Sequence, residues 1–299
     1  MPDPAARYLD DFLEAERLPR GYLTAVERYF RPLAAELAGR AAGRATPLVV
    51  GIQGGQGTGK STLAKLLGVL LQGEFGLAVA ELSIDDFYLT RDQRRQLGRA
   101  VHPLLATRGV PGTHDVPLAL ATLQRLREAA AGEVVAVPRF DKAADDRRPP
   151  QQWDAIAGPV AVIILEGWCL AVPPQAEAAL AEAALAEPAN ALEAAEDGDG
   201  RWRAFVNGQL ATAYRDWFAL IDYLVVLQAP SFDCIQQWRS LQEQKLAARS
   251  DGPRIMDAAQ LARFMQHYER LTRHCLAVLP ALADAVFLLD RDHGVCGRQ

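Results

Sequence analysis

The stretch GIQGGQGTGKST, residues 51–62, follows the apolar segment PLVVGI and contains the pattern G-x-x-x-x-G-K-S, which ends at Ser61. Glycines let such a loop curl so that its backbone N–H groups surround a phosphate chain, and the helix that follows adds its positive N-terminus. In this pattern Lys60 reaches the β- and γ-phosphate oxygens, and the Ser61 hydroxyl binds Mg²⁺. The stretch therefore predicts a strand, a phosphate-binding loop (P-loop) and a helix. The residues expected to contact the nucleotide are Gly54, Gly55, Gln56, Gly57, Thr58, Gly59, Lys60, Ser61 and Thr62.

Short runs rich in Val, Ile and Leu recur along the chain. They lie at 47–52, 77–84, 160–165, 223–228 and 285–290. Most are continuously apolar, as expected of strands that are covered on both faces, and segments with helical spacing separate them. This alternation predicts an α/β fold of the P-loop NTPase type, a doubly wound, mainly parallel five-stranded sheet with helices on both faces. Ligands should bind beyond the carboxyl ends of the strands.

The chain is expected to form one P-loop domain at 46–299, preceded by a helical extension at 1–45. An Ala- and Glu-rich insert at 171–200 predicts a helix that leads into an acidic loop. In the segment 230–255, Ser231 predicts a helix cap, and the segment is a candidate helical lid.

Composition narrows the functional class. The chain has 299 residues, 50% hydrophobic and 23% charged, enough to bury a full core. A net charge of −5 argues against nucleic acid as a main partner, and the basic run RDQRRQ, which contains Arg94, is expected to be solvated surface. The acidic N-terminus is not a secretory signal, and apolar runs fall short of the ~18 residues that span a bilayer. Four dispersed cysteines without metal spacing favour a reduced, cytoplasmic protein, and no oligomeric state is predicted.

Carboxylates follow two of the predicted strands. Glu166 ends the run IILEG, and the sequence SIDDFYLT places Asp85 and Asp86 directly after the second strand. Because carboxyl ends of parallel strands share one sheet edge, Glu166 should lie near the P-loop, where it can hold Mg²⁺ directly or through water. If the extended geometry continues past the strand, Asp85 and Asp86 point in opposite directions.

Some nucleotide-binding classes are disfavoured by missing motifs. Guanine-specific proteins carry an N-K-x-D loop, but the asparagines here, Asn190 and Asn207, precede Ala191 and Gly208. The transporter signature L-S-G-G-Q is also missing from the sequence. Elimination favours a small-molecule kinase that uses ATP.

Several motifs together resemble the plant-type D-glycerate 3-kinase family. Besides the P-loop, they are SIDDFYLT (83–90), RGVPGTHD (108–115), VPRFDKAADDRRPPQQW (137–153), IILEGWC (163–169) and WRSLQEQKL (238–246). That family is similar to uridine kinases, phosphoribulokinases and bacterial pantothenate kinases. The resemblance extends from about residue 47 to the last strand, and it implies phosphoryl transfer from ATP, with Mg²⁺, to the 3-hydroxyl group of D-glycerate.

The resemblance also implies roles for single residues. Similar kinases place a catalytic carboxylate at the first position of a D-x-F-Y pattern, which here is Asp85. Asp85 would accept the hydroxyl proton and join Ser61 and Glu166 around Mg²⁺, while Lys60 holds the phosphates. Asp86 would then hold the following loop or a basic residue of the substrate loop.

The candidate substrate residues lie in the two most specific motifs. A small anionic acceptor needs a cation in fixed geometry, and arginine's planar fork supplies paired donors, so Arg108 and Arg139 are expected to clamp the carboxylate. His114 and Asp115 are candidates for the hydroxyl groups, and Asp141 completes this set. Alternatively, the arginines are surface residues paired to Asp115 or Asp141. The family usually has Tyr where this chain has Phe140.

The candidate lid offers Arg239, Lys245 and Arg249. In related kinases basic lid residues approach the transferring phosphoryl group, and Arg239 is the best candidate here. An ordinary i,i+4 ion pair with Glu243 explains Arg239 equally well. Two other functions stay open: a kinase for a nucleoside, pantothenate or a sugar phosphate, and a regulatory ATPase in which Asp85 positions water.

Overall fold

The structure is a computed structural model, and it describes residues 4–175, 187–247 and 256–299. The strands in this part of the chain are β1 (Leu48–Gly54), β2 (Val79–Ser83), β3 (Val134–Val137), β4 (Phe140–Asp141), β5 (Asp146–Arg147), β6 (Asp154–Ala157), β7 (Val162–Gly167), β8 (Tyr223–Gln228), β9 (Ala285–Leu289) and β10 (Val295–Arg298).

The α-helices of the same residues alternate with these strands. They are α1 (Pro4–Glu16), α2 (Tyr22–Ala25), α3 (Arg31–Ala41), α4 (Lys60–Phe75), α5 (Arg91–Ala100), α6 (Val116–Glu128), α7 (Ala191–Glu196), α8 (Arg201–Ala211), α9 (Ala213–Phe218), α10 (Phe232–Ala247) and α11 (Ala258–Val278). A π-helical turn (Val26–Phe30) joins α2 to α3, and short 3₁₀ turns occur at Ile84–Phe87, Pro103–Ala106, Pro150–Gln152 and Leu279–Ala281.

The central sheet has the strand order β10-β9-β8-β1-β7-β2. Five of its strands are parallel, and β10 is antiparallel to β9. The prediction of a doubly wound, mainly parallel sheet is confirmed, but the strand count is too low by one. The missed strand, β10, alternates half-buried and exposed residues at the sheet edge, so it lacks the continuous apolar run that marks the others.

Each face of the central sheet packs into its own hydrophobic core. Val49 of β1 joins the core that contains α6 and α9, whereas the next residue, Val50, joins the core that contains α4. This alternation follows from the two-residue period of a strand. The helices of the N-terminal extension enter the second core, where Leu33 and Leu37 are fully buried, each worth about 2 kcal/mol of transfer free energy.

The register brings the ends of β1, β2 and β7 to one edge. Glu166 of β7 is paired with Ile52 of β1 on one side and with Ser83 of β2 on the other. The P-loop follows β1, and the Asp85 turn follows β2. The P-loop, Glu166 and Asp85 therefore lie together at the carboxyl edge of the sheet, as the parallel topology requires.

Two predicted segments are only partly described. Residues 176–186 of the Ala- and Glu-rich insert, and residues 248–255 of the candidate lid with Arg249, lie outside the described residues, as does the side chain of Lys245. Helix α7 lies in the described part of the insert, and α10 forms the first part of the lid segment. Among the helices that the structure describes, none combines the length and the apolar character that crossing a membrane requires.

Candidate active site

A cleft of about 1170 Å³ opens at the carboxyl edge of the sheet. The P-loop forms one wall of the cleft. Helices α10 and α11 contribute further lining residues, which include Trp238, Arg239 and Tyr268. The opposite wall is formed by the Asp85 turn, Arg108 and the hairpin between β4 and β5. The cleft is large enough for a nucleotide together with a small acceptor.

The P-loop has the backbone shape that surrounds phosphates. Gly57 and Gly59 have φ angles of 80° and 90°, in the left-handed region that a side chain disfavours. A Cβ atom on Gly57 would also lie 3.1 Å from the Cβ of Trp238. Helix α4 begins at Lys60, so its unpaired N-terminal N–H groups and its dipole face the loop.

Ser61 and Glu166 meet beside the P-loop. The Ser61 hydroxyl donates a hydrogen bond to Oε1 of Glu166 at 2.9 Å, and Lys60 Nζ lies 4.0 Å from Oε2. Glu166 is 8% exposed, and among the described residues its Oε2 atom is buried without a hydrogen-bond partner. Since an orphaned carboxylate oxygen beside a hydroxyl is a suitable hard-ligand set, these residues fit Mg²⁺.

Asp85 and Asp86 diverge, but not for the predicted reason. Strand β2 ends at Ser83 and the chain turns into a 3₁₀ helix, so the extended geometry stops before the pair. Asp86 caps that turn through the Ser83 N–H at 3.3 Å and accepts hydrogen bonds from Arg139 at 2.9 Å and from the Phe140 N–H at 3.1 Å. Asp86 therefore holds the loop and a basic residue, while Asp85 lines the cleft.

Asp85 forms an ion pair with Lys142, whose Nζ lies 2.6 Å from Oδ2. Burial alone would raise the pKa of Asp85, but the charge and hydrogen bond of Lys142, helped by Lys60, lower that pKa to about 2. The charge of Asp85 in turn raises the pKa of Lys142. Both groups are therefore charged at neutral pH.

Lys142 was not singled out from the sequence. It is the last residue of PRFDK, directly after Asp141, and this place in a specific motif was the available signal. Lysines are common at surfaces, however, and nothing in the local sequence links Lys142 to Asp85, 57 positions away. Only the folded hairpin brings the two together.

Arg108 lines the cleft, as expected of an acceptor clamp, but its partner is neither Asp115 nor Asp141. It donates a hydrogen bond to Asp145, which also binds Arg94 at 2.8 Å. The interpretation of Arg94 as solvated surface is wrong: its side chain is fully buried and donates to the Leu89 carbonyl at 2.8 Å. Arg94 and Arg108 lie over the ring of Phe140, with guanidinium carbons 5.6 and 5.4 Å from its centroid.

Three other predicted substrate residues lie outside the lining of the cleft. Arg139 is held by Asp86 and by Asp154, the latter at 2.7 Å, so neither surface partner predicted for it is used. Asp115 caps α6 through the Leu118 N–H at 3.2 Å and pairs with Arg147 at 2.9 Å. Asp141 accepts the N–H groups of residues 143 and 144 and so shapes the hairpin.

His114 lies behind the cleft wall. Its ring stacks on Tyr88, which lines the cleft, with centroids 4.4 Å apart. Nδ1 lies 2.6 Å from the Tyr214 hydroxyl, which accepts the Gly112 N–H at 2.9 Å. Burial lowers the pKa of His114 to about 3 despite nearby Asp85, so the ring is neutral.

Arg239 lines the cleft and forms the i,i+4 ion pair with Glu243, at 2.6 Å. Glu243 also accepts the Met256 N–H at 3.1 Å. Nearby, the rings of Trp238 and His293 pack against each other with centroids 4.1 Å apart and planes tilted by 38°, and both line the cleft. Trp238 was not given a role from the sequence, and flat rings beside a phosphate site are suited to a nucleotide base.

Comparison with known proteins gives curated relatives but no matching family model. Over 230 residues, the chain is 32% identical to the chloroplastic D-glycerate 3-kinase of Arabidopsis thaliana, which covers 74% of this chain and 46% of that protein. An uncharacterized kinase of Schizosaccharomyces pombe is 34% identical over 230 residues, 74% of this chain and 78% of its own length. The chain thus spans about half the length of the plant enzyme.

A solved structure agrees with these relatives. The D-glycerate 3-kinase of Cryptococcus neoformans superposes with a TM-score of 0.75 at 26% identity, over 90% of this chain and 97% of that one. The structural similarity therefore extends over most of the chain.

Proposed function

The chain belongs to the family of P-loop kinases that includes D-glycerate 3-kinase, and on that premise we propose that it transfers the γ-phosphoryl group of ATP to D-glycerate, giving 3-phosphoglycerate. One observation supports the proposal independently of the similarity to known kinases. A single cleft is lined by the P-loop, by Asp85 and by two cations, Arg108 and Lys142. This arrangement provides a phosphate site, a carboxylate for a hydroxyl group and positive charge for an anionic acceptor.

The donor side would bind the triphosphate through the amides of the P-loop and through Lys60. Ser61 and Glu166 would hold Mg²⁺, with Asp85 nearby. The ion would neutralise charge on the β- and γ-phosphates and so favour in-line transfer. The rings of Trp238 and His293, packed against each other, offer an aromatic surface for the base. Arg239 lies where the lid meets the cleft.

Asp85 would receive the proton of the acceptor hydroxyl. Its pKa of about 2 keeps it ionised throughout the neutral range, so it accepts a hydrogen bond from the hydroxyl before transfer. Such an acidic carboxylate is a weak base in the ground state. In phosphoryl transfer, the hydroxyl becomes acidic as it bonds to phosphorus, so orientation by Asp85 matters more than early deprotonation.

Arg108 would bind the carboxylate of glycerate. It is 24% exposed, lines the cleft and shares Asp145 with Arg91 and with buried Arg94, so this cluster of three cations and one carboxylate retains positive charge. The other four predicted substrate residues would act behind the cleft lining, by shaping its walls. His114 stacks on Tyr88, and Asp115 pairs with Arg147. Arg139 pairs with Asp86, and Asp141 shapes the hairpin.

An acceptor panel tests the proposal. Purified protein with ATP and Mg²⁺ would be given D-glycerate, L-glycerate, glycerol, uridine, pantothenate or a sugar phosphate, and ADP release would be measured. We expect turnover with D-glycerate and a phosphorus–proton coupling that locates the phosphate on the 3-hydroxyl group. Preference for another acceptor would identify that compound, instead of D-glycerate, as the substrate. ATP hydrolysis that no acceptor stimulates would instead favour the regulatory ATPase.

A further inference from the structure

The cations that line the cleft are paired with carboxylates of the protein itself. Among the described residues, each Lys or Arg side chain that lines it lies within ion-pair distance of a carboxylate. The pairs are Lys60 with Glu166, Arg108 with Asp145, Lys142 with Asp85 and Arg239 with Glu243. Only the Arg108 cluster retains excess positive charge, because Arg108 shares Asp145 with Arg91 and Arg94. A second cation for an anionic acceptor must therefore be drawn away from a carboxylate, and the weakest pair will exchange first.

Exposure distinguishes the four pairs. The side chain of Lys142 is 65% exposed, whereas those of Lys60, Arg108 and Arg239 are 17%, 24% and 16% exposed. An ion pair formed by an exposed lysine is weak, because water screens its charge and its flexible stem loses entropy when it is fixed. Apart from Lys60, whose pair with Glu166 at 4.0 Å would give way to the triphosphate, Lys142 is the cation that leaves its carboxylate at the lowest cost.

The backbone around Lys142 does not have to move for this exchange. Asp141 Oδ1 accepts the N–H groups of Ala143 and Ala144 at 2.8 and 2.9 Å, which fixes the turn of the hairpin. Arg94 anchors the other strand of the hairpin through Asp145 at 2.8 Å. Rotation of the Lys142 side chain alone can carry its ammonium group from Asp85 to a ligand in the cleft.

We infer that Lys142 is an acceptor-binding residue that occupies Asp85 in the free enzyme and releases it when an acceptor carboxylate binds the lysine. The inference rests on the proposed function. With Nζ 2.6 Å from Oδ2, Lys142 engages one of the two Asp85 oxygens that could accept a hydrogen bond from water or a hydroxyl group. Lys142 thereby couples phosphoryl transfer to acceptor occupancy, and suppresses loss of ATP to water.

The two competing reactions differ only in the attacking group. In transfer, the acceptor hydroxyl oxygen bonds to the γ-phosphorus, the bond from that phosphorus to the β–γ bridging oxygen breaks with its electron pair on ADP, and the hydroxyl proton passes to Asp85. In hydrolysis, water replaces the hydroxyl group and inorganic phosphate is formed. Occupation of Asp85 by Lys142 hinders both until an acceptor displaces the lysine.

The test compares Lys142→Met with Lys65→Met, a matched control. Lys65 pairs with Glu16 at the same distance, 2.6 Å, is 53% exposed and lies outside the cleft lining. For Lys142→Met we expect the ratio of acceptor-free ATP hydrolysis to D-glycerate phosphorylation to rise at least about tenfold, with KM for D-glycerate raised about tenfold and KM for ATP unchanged. Lys65→Met should match the wild type. Lys142→Arg, which keeps the charge, should raise acceptor-free hydrolysis less than Lys142→Met does.

The outcomes separate this inference from the proposed function. If D-glycerate is phosphorylated but Lys142→Met leaves the ratio unchanged, or lowers both reactions equally, the inference is overturned and the proposed function stands. If the wild type does not phosphorylate D-glycerate, the proposed function fails. Acceptor-free hydrolysis by Lys142→Met then decides the blocking role alone: a rise above wild type supports it, and an unchanged or lower rate overturns it. Equal melting temperatures exclude misfolding.

Discussion

The donor side and the acceptor side of the cleft are built differently. The donor side is a continuous loop, residues 54–62, whose shape comes from glycine backbone angles and from the start of α4. The acceptor side combines side chains from separate segments: the Asp85 turn, Arg108 and the hairpin that carries Lys142. Ion pairs between these segments, rather than backbone shape, set the positions of the acceptor groups.

This difference has a consequence for function. A backbone-built phosphate site binds the part that all nucleoside triphosphates share, so it does not depend on the acceptor. A side-chain site can be retuned by replacing one ion-pair partner, because each replacement changes the charge that faces the acceptor. Acceptor-side substitutions should therefore change catalysis or acceptor binding and leave nucleotide binding intact.

The largest expected effect is that of Asp85→Asn. Loss of the carboxylate that receives the hydroxyl proton should lower kcat by about 10²- to 10⁴-fold, while KM for ATP stays within about twofold. Steady-state kinetics with both substrates varied measures this. A large rise in KM for ATP would break the division between the two sides, since Asp85 would then belong to the donor site.

Asp86→Asn is the matched control, one residue further on. It weakens the hydrogen bonds to Arg139 and the Ser83 N–H, so the free energy of unfolding should fall by about 1–3 kcal/mol. We expect kcat to change less than about tenfold, because Asp86 holds the loop and does not line the cleft. Urea unfolding and kinetics on one preparation separate the two effects, and the reverse ranking of the two variants would exchange the roles.

An intermediate effect is expected for Arg108→Met. Removing a charged partner of the acceptor carboxylate should raise KM for D-glycerate about 10- to 100-fold, with KM for ATP unchanged. Arg139→Met is the comparison variant, because Arg139 is held by Asp86 and Asp154 outside the cleft lining. Its KM for D-glycerate should rise less than about threefold. Equal effects of the two variants would mean that the carboxylate binds elsewhere or is bound by both.

The same comparison explains what could be predicted from the sequence. The P-loop is contiguous and its glycines have a direct backbone meaning, so its shape, its helix and the parallel sheet followed from the residues alone. The placement of Glu166 beside Ser61 also followed, because strand topology fixes which chain segments share an edge. These features depend on short-range patterns and on a topology with few alternatives.

The acceptor side was predicted less well, because its positions depend on pairing across long sequence distances. The burial of Arg94 depends on Asp145, 51 positions away, and the place of Lys142 depends on Asp85. A charged residue looks the same in sequence whether it faces solvent or a buried partner. The motif RGVPGTHD located Arg108 in the cleft but could not reveal that its partner is Asp145.

The smallest effect on turnover is expected from the buried histidine behind the acceptor wall, which should instead make stability depend on pH. The folded-state pKa of His114 is about 3, below its ordinary value of 6.5, because burial disfavours the charged ring. The unfolded chain therefore binds a proton at a pH where the folded chain does not. The stability that results is complete above pH 6.5 and is lost as the pH falls towards 3.

His114→Gln removes this titration but also the hydrogen bond with Tyr214 and the stacking on Tyr88. At pH 7 its free energy of unfolding should be lower than that of the wild type by about 1–2 kcal/mol. Between pH 7 and pH 4.5, however, the fall in its free energy of unfolding should be smaller than in the wild type, by on the order of 2 kcal/mol. Urea unfolding at the two pH values measures both quantities. Parallel losses in the two proteins would show that folding leaves the pKa of His114 unchanged, and that Asp85, lying close to the ring, offsets the effect of burial. The acceptor side would then depend on a charged pair at its base, and the contrast with the backbone-built donor loop would be sharper.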